Sequence, residues 1–141
     1  MSVDHVCLCV TDLPLSIAWY ANVLGLRHTR RSEPHFYPGC RDSPAFLTSR
    51  APGGGGGGPA VNLALLRVGE EDRIPDHRGA HVAFTLPLPG WERARGELPR
   101  LLAANGGGGG RLDVEECDYG VQRSLFFQDP DGNVLELATW L

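Results

Sequence analysis

His5-Val6-Cys7-Leu8-Cys9-Val10 and His81-Val82-Ala83-Phe84-Thr85-Leu86 are two copies of one short pattern. Each is an alternating, valine-containing run headed by a histidine, which reads as a half-buried strand. Each is followed by a Leu-Pro step and then by a helical segment. A third stretch closes the chain: Ser124-Leu125-Phe126-Phe127-Gln128-Asp129-Pro130-Asp131-Gly132-Asn133-Val134-Leu135-Glu136-Leu137. It reads as a hairpin whose second strand carries a single glutamate among apolar residues. Two histidines and one carboxylate at matching places in a duplicated pattern suggest a metal site at a pseudo-twofold axis.

Working outward from the first copy, Asp12 caps a helix from about Pro14, where proline suits the first turn. Ile17, Tyr20, Ala21 and Leu24 lie on one helical face, Trp19 and Val23 widen it, and Gly25 ends the helix. Strands are expected at Leu26 to Arg31, Ala45 to Ser49 and Ala60 to Leu66, with a loop through Pro34, Pro38, Gly39 and Pro44. Gly53 to Gly58 forms a hairpin tip with nothing to pack, and Gly106 to Gly110 a loop after the second helix. No strand-loop-helix context or Lys-Ser/Thr follows the first glycine run, so a phosphate-binding loop is a poor reading of it. Residues 69 to 78, charged and polar, connect two modules. In the second module a helix over Trp91 to Ala104 is expected to kink or break at Pro99. Arg111 to Cys117, Ser124 to Gln128 and Asn133 to Thr139 are its remaining strands, with a turn at Asp129 to Asn133. The order strand-helix-three strands occurs twice, an internal duplication. The expectation is one α+β domain over 1–141, with module one at about 1–68, a connector at about 69–79 and module two at about 80–141.

The chain has 141 residues, 42% of them apolar, and a net charge of -4. Acids and bases are interspersed, so no basic stripe tracks a nucleic-acid backbone. Every basic residue other than histidine is arginine, which excludes Schiff-base chemistry on a lysine side chain. No apolar run reaches the roughly 20 residues of a membrane span, and no signal-peptide pattern opens the chain. Cys7, Cys9, Cys40 and Cys117 have no framework spacing and read as free thiols in a reducing, cytoplasmic compartment.

Side chains alternate along a strand. Val6, Leu8 and Val10 should pack under the first helix, leaving His5, Cys7 and Cys9 on the other face. Val82, Phe84 and Leu86 repeat this, leaving His81, Ala83 and Thr85 opposite. Val61, Leu63 and Leu65 oppose Asn62, Ala64 and Leu66, and Leu135 and Leu137 oppose Val134, Glu136 and Ala138. Each polar candidate falls on the face away from its helix, so if the two curved sheets meet, these faces line one cleft.

The paired modules, the run Val-x-Asp-Leu-Pro-x-Ser-Ile-x-Trp-Tyr-x-x-Val-Leu-Gly-Leu from Val10 to Leu26 and the run Phe-x-Asp-Pro-Asp-Gly-Asn-x-x-Glu-Leu from Phe127 to Leu137 resemble the vicinal oxygen chelate superfamily. That group includes glyoxalase I, extradiol dioxygenases, fosfomycin-resistance transferases and bleomycin-resistance proteins. The resemblance covers nearly the whole chain and implies two βαβββ modules forming a curved mixed sheet around a cleft. It places metal ligands on the first and last strand of each module, here His5, His81 and Glu136, with Asn62 at the fourth place. Asparagine is neutral and short, which leaves two histidines and a carboxylate, the set shared with the extradiol dioxygenases and fosfomycin transferases. It implies a divalent ion (Ni, Zn, Co, Mn or Fe), a small substrate with two adjacent oxygens, a possible thiol cosubstrate and a homodimer.

Three activities follow from the resemblance. The first expectation is a glyoxalase I-like lyase or isomerase, in which Glu136 detaches and serves as base. The second is an extradiol-type Fe(II) dioxygenase, although such enzymes usually carry a tyrosine where this chain has Phe126. The third is a metal-free binding protein of the bleomycin-resistance type, which generally lacks the ligand trio. Around the trio, Cys7 and Cys9 are small lining residues or, in a His-x-Cys arrangement, soft ligands. Tyr119 is a proton donor to the pocket or an ordinary sheet-edge tyrosine, and Arg123 meets an anionic substrate or solvent. His28, His35 and His77 read as surface residues, with His35 a rim contact.

Overall fold

A computed structural model describes residues 3–29, 44–49, 60–69, 80–106 and 113–141. The Gly53 to Gly58 run, most of the Gly106 to Gly110 run, nearly all of the connector, His35, His77 and Cys40 lie outside these residues. The chain divides into two compact units, Met1–Arg73 and Ile74–Leu141.

The first unit runs β1 (Val6–Val10), α1 (Leu13–Leu24), β2 (Arg27–His28), β3 (Ala45–Thr48) and β4 (Asn62–Arg67). Its sheet has the order β1-β4-β3-β2, with β1 parallel to β4 and the other pairs antiparallel. The second unit repeats the plan with β5 (Val82–Thr85), α2 (Leu88–Ala104), β6 (Glu115–Asp118), β7 (Gln122–Gln128) and β8 (Val134–Trp140). Its sheet has the order β5-β8-β7-β6, again with the first strand parallel and the rest antiparallel. The duplicated strand-helix-three-strand order is therefore the order of the fold.

Local chemistry sets the boundaries of α1. The Asp12 carboxylate accepts from the Leu15 amide at 2.9 Å, an N-cap that satisfies one orphan donor of the first turn. Gly25 ends the helix at φ 67, a left-handed conformation that a side chain would strain. The buried stripe is Ser16, Trp19, Tyr20 and Val23, rotated from the expected one so that Ala21 is exposed. Ser16 tolerates complete burial because its hydroxyl donates to the Asp12 carbonyl at 2.8 Å. The stripe therefore follows the bulk of Trp19 and Tyr20 rather than the hydropathy of single positions. α1 lies against β2, β3 and β4, while β1 is an edge strand. Consequently Val10 is buried but Val6 is 37% exposed, against the expectation of a uniformly packed face.

α2 begins at Leu88, earlier than expected, and runs continuously through Pro99. Pro99 is exposed, so water can take the carbonyl of Arg95 that proline leaves without a helical donor. Trp91, buried in the same helix, donates its indole N–H to the Leu137 carbonyl at 3.0 Å and fastens α2 to β8. β2 is shorter than expected, and β6 starts later, at Glu115. Among the described residues no helix is long and apolar enough to cross a membrane.

The turn from β7 to β8 is built on Asp129, which is 1% exposed. Its side chain accepts from the Asp131 amide at 3.0 Å, the Asn133 amide at 2.8 Å and the Asn133 side-chain amide at 2.8 Å. Gly132 closes the turn by donating to the Asp129 carbonyl and takes a φ of 88, open to glycine alone without strain. This turn fixes the register of β8 and with it the height of Glu136 in the sheet. Asp129→Ala removes three acceptor contacts in a buried setting and is expected to cost about 3 kcal/mol, measured as a shift in the urea midpoint without a change in slope.

Candidate functional site

In the second unit the glutamate of β8 is nearly enclosed, with Glu136 5% exposed. A carboxylate in that setting needs compensation from close partners. Three side chains supply it. Ser124 Oγ donates to Glu136 Oε1 at 2.5 Å, the short range of a charge-assisted hydroxyl bond. Gln122 Nε2 donates to the same oxygen at 3.2 Å. His81 Nε2 stands 2.8 Å from the other oxygen, Oε2.

The register explains the convergence. β7 and β8 pair Ser124 with Ala138 and Phe126 with Glu136, so Ser124 is the diagonal neighbour of the carboxylate. β5 and β8 pair Ala83 with Glu136, and His81 stands two residues before Ala83 on the same face. Phe126 meets the His81 ring edge-to-face, with centroids 5.7 Å apart and an interplanar angle of 82°. Phe126 therefore holds the imidazole.

The first unit carries the matching histidine. His5 meets Phe46 edge-to-face at 5.3 Å and 80°. Its Nδ1 is 2.8 Å from an oxygen of Asp4. The carboxylate, however, has no counterpart. β1 and β4 pair Cys7 with Ala64, and β3 and β4 pair Phe46 with Ala64. These are the neighbours that Ala83 and Phe126 provide for Glu136, so the equivalent position is Ala64 and not Asn62. Asn62 instead ties down the entry to β1, its side-chain amide donating to the Asp4 carbonyl at 3.0 Å. Alternation along a strand fixes the face of each residue but leaves a two-residue slip open, which is how Asn62 came to stand in the place of Ala64.

The remaining candidates separate by face. Arg123 pairs with Asp118 in the β6–β7 ladder, on the face opposite Glu136. Its guanidinium reaches Asp118 at 3.1 Å and Glu92 of α2 at 3.5 Å, so the substrate role expected for it is replaced by an ion-pair clamp on the helix side. Cys117 pairs with Ser124, which places Cys117 on the Glu136 face, with Tyr119 beyond it. The hydrogen bond with Cys117, followed by burial and the nearby Cys117, Glu136 and Glu115 charges, raises the Tyr119 pKa. Its phenol thus stays protonated and is 59% exposed. Cys7, Cys9 and Cys117 form no disulfide. Partial burial of the Cys7 sulfur, reinforced by Cys9, raises its pKa, so Cys7 is not an activated thiolate.

Among the described residues no three His, Cys, Asp or Glu side chains converge as a metal-binding group. The His81–Glu136 pair nonetheless fits one. Two donors about 2.1 Å from one ion lie about 3.0–3.5 Å apart, little more than the 2.8 Å between Nε2 and Oε2. Sequence reasoning found His81 and Glu136 but not Ser124 or Gln122. The one available signal was a serine and a glutamine on the strand before the glutamate, at positions of the same parity.

Comparison with known proteins gives a consistent picture. Residues 2–137 match the family model of the Glyoxalase/Bleomycin resistance protein/Dioxygenase superfamily. A metallothiol transferase FosB of Lysinibacillus sphaericus is 26% identical over 98% of this chain and 82% of its own length. A glyoxylase/bleomycin resistance protein/dioxygenase domain from Frankia sp. EAN1pec shares the fold at a TM-score of 0.67 and 23% identity, over 100% of this chain and 93% of that one. So does a variant of the fosfomycin resistance protein FosX from Listeria monocytogenes, solved with Mn(II) and 1S,2S-dihydroxypropylphosphonic acid, at 0.64 and 17% over 99% and 92%.

The role found for Asn62 is open to test. Asn62→Ala is expected to lower stability by about 1 kcal/mol and to speed amide exchange at the start of β1, leaving exchange in β8 unchanged.

Proposed function

This chain belongs to the glyoxalase/bleomycin resistance protein/dioxygenase superfamily, also called vicinal oxygen chelate, and on that footing we propose that it is a metal-dependent enzyme of the fosfomycin-resistance kind, opening a small oxygen-bearing substrate to a nucleophile. The observation that carries this reading is Ala64. Where the second unit has Glu136, the first unit has a methyl group, so a fourth protein ligand of the glyoxalase I type is missing. The residues that would hold the ion are His81 and Glu136, with His5 of this chain or of a second copy in a homodimer as the third. Two imidazoles and a carboxylate suit a divalent first-row ion and leave coordination positions for substrate oxygens. The relative named as a metallothiol transferase and the FosX structure with Mn(II) support this reading over the lyase first expected.

When bound, the ion would supply Lewis acidity to a substrate oxygen. The protein's own part is orientation. Phe126 and Phe46 fix the planes of His81 and His5 by edge-to-face contact. Asp4, engaging His5 Nδ1, would leave Nε2 as the nitrogen to hold an ion. Tyr119, protonated and exposed on the Glu136 face, is placed to donate a hydrogen bond to an anionic substrate. The nucleophile is a thiol or water, with a phosphonate-bearing epoxide such as fosfomycin as the first substrate to try.

The full chain should retain about one divalent ion after purification, measured by elemental analysis, and His81→Ala should lose it. With Mn(II), fosfomycin and a small thiol, phosphorus NMR should show the epoxide signal replaced by an opened product. Unchanged epoxide with both thiol and water overturns the substrate class, and absence of metal after reconstitution overturns the enzyme. Mixing His5→Ala chains with Glu136→Gln chains should restore activity if the ligands come from two copies, and leave none if one chain supplies all three.

A further inference from the structure

The two oxygens of Glu136 are held differently. Oε1 accepts from Ser124 at 2.5 Å and from Gln122 at 3.2 Å, while Oε2 alone faces His81. Both donors come from β7, which is paired on both sides, by β6 and by β8. Ser124 is 0% exposed and Glu136 5%, so water does not reach this hydroxyl to replace the carboxylate.

We propose that Ser124 and Gln122 lock Glu136 as a fixed, one-oxygen metal ligand that does not swing away to act as a base. This rests on the metal reading above and deepens it by naming what the ligand carboxylate does. A glutamate that detaches to take a proton must rotate its carboxylate off the ion. Here that rotation strips Oε1 from the fully buried Ser124 hydroxyl, leaving it without a partner, and from the half-buried Gln122 amide. Coordination through both oxygens would likewise pull Oε1 away from Ser124. The carboxylate therefore offers Oε2 and nothing else. A reaction that needs no base at this ligand, such as addition of a nucleophile to an activated carbon, suits the arrangement, whereas proton abstraction by Glu136 does not. The duplication points the same way. The first-unit position equivalent to Ser124 is Pro44, which has no hydroxyl, beside Ala64, which has no carboxylate to hold. Ser124 and Gln122 are positioning residues, acting through Glu136.

The test uses the full chain and Mn(II) alone. Mn(II) affinity is measured by chelator competition, and the splitting of the carboxylate stretching bands by infrared difference spectroscopy, assigned to Glu136 by its disappearance in Glu136→Gln. Wild type should show the wide splitting of one-oxygen coordination. Ser124→Ala and Gln122→Leu should bind Mn(II) about ten- to a hundred-fold more weakly, and Ser124→Ala should show a narrowed splitting. Ser124→Thr, which keeps the hydroxyl, should retain both properties and guards against a folding defect in the alanine variant. If wild type binds Mn(II) while Ser124→Ala and Gln122→Leu bind within about twofold of it, well short of the loss expected for a second-shell partner, with unchanged bands, the lock is refuted and the metal reading stands. If wild type binds no Mn(II), the metal reading falls and the lock falls with it.

Discussion

A carboxylate set among apolar residues in a sheet is the constraint on which the second unit is organised. Left unpaired at this depth, Glu136 would cost several kcal/mol. Its three partners lie far from it in sequence and reach it through β5 and β7, the two neighbours of β8. The parallel β5–β8 pair brings His81 and the antiparallel β7–β8 pair brings Ser124 and Gln122. The Asp129 turn then sets β8 at the one register that joins all three. Turn, register and site are thus one device: a slip of β8 would unpair the carboxylate and misplace its apolar neighbours together.

The duplication is faithful in backbone and selective in chemistry. Both units keep a histidine before the first strand and a phenylalanine edge-on to it. One unit keeps the carboxylate and the hydroxyl that holds it, and the other has Ala64 and Pro44 at those places. The substitutions are linked by physical need, since a serine buried there would have no carboxylate to bond.

The opposite face of the second sheet is given over to holding α2. Arg95 bridges to Glu116 at 2.8 Å, and Arg123 bridges to Asp118 and to Glu92 of the helix. Each is a partly exposed pair worth little by itself. Together they tie α2 to β6 and β7, beside the indole bond from Trp91 to β8. The two faces divide the labour: ion pairs and apolar packing on one, the buried carboxylate and its hydrogen-bonding partners on the other.

Local signals in the chain were sufficient for the elements: alternation for β1, β5 and β8, Asp12 and Gly25 for the ends of α1, and Asp-Pro-Asp-Gly-Asn for the last turn. They were sufficient too for singling out His81 and Glu136, which the structure brings within 2.8 Å of one another, because a histidine heading the repeat and a lone acid in an apolar strand stand out against their surroundings. Those features depend on neighbours a few residues away, which is why sequence by itself determines them. Tertiary structure alone decided that Ala64 and not Asn62 matches Glu136, that Arg123 turns to the helix side, that the α1 stripe follows Ser16 and the aromatics, and that Ser124 and Gln122 grip the carboxylate. Each of these depends on which residue stands across from which in another strand or helix. Cross-strand register is set by the packing of the whole sheet, and a period of two in the sequence leaves it undetermined by multiples of two residues.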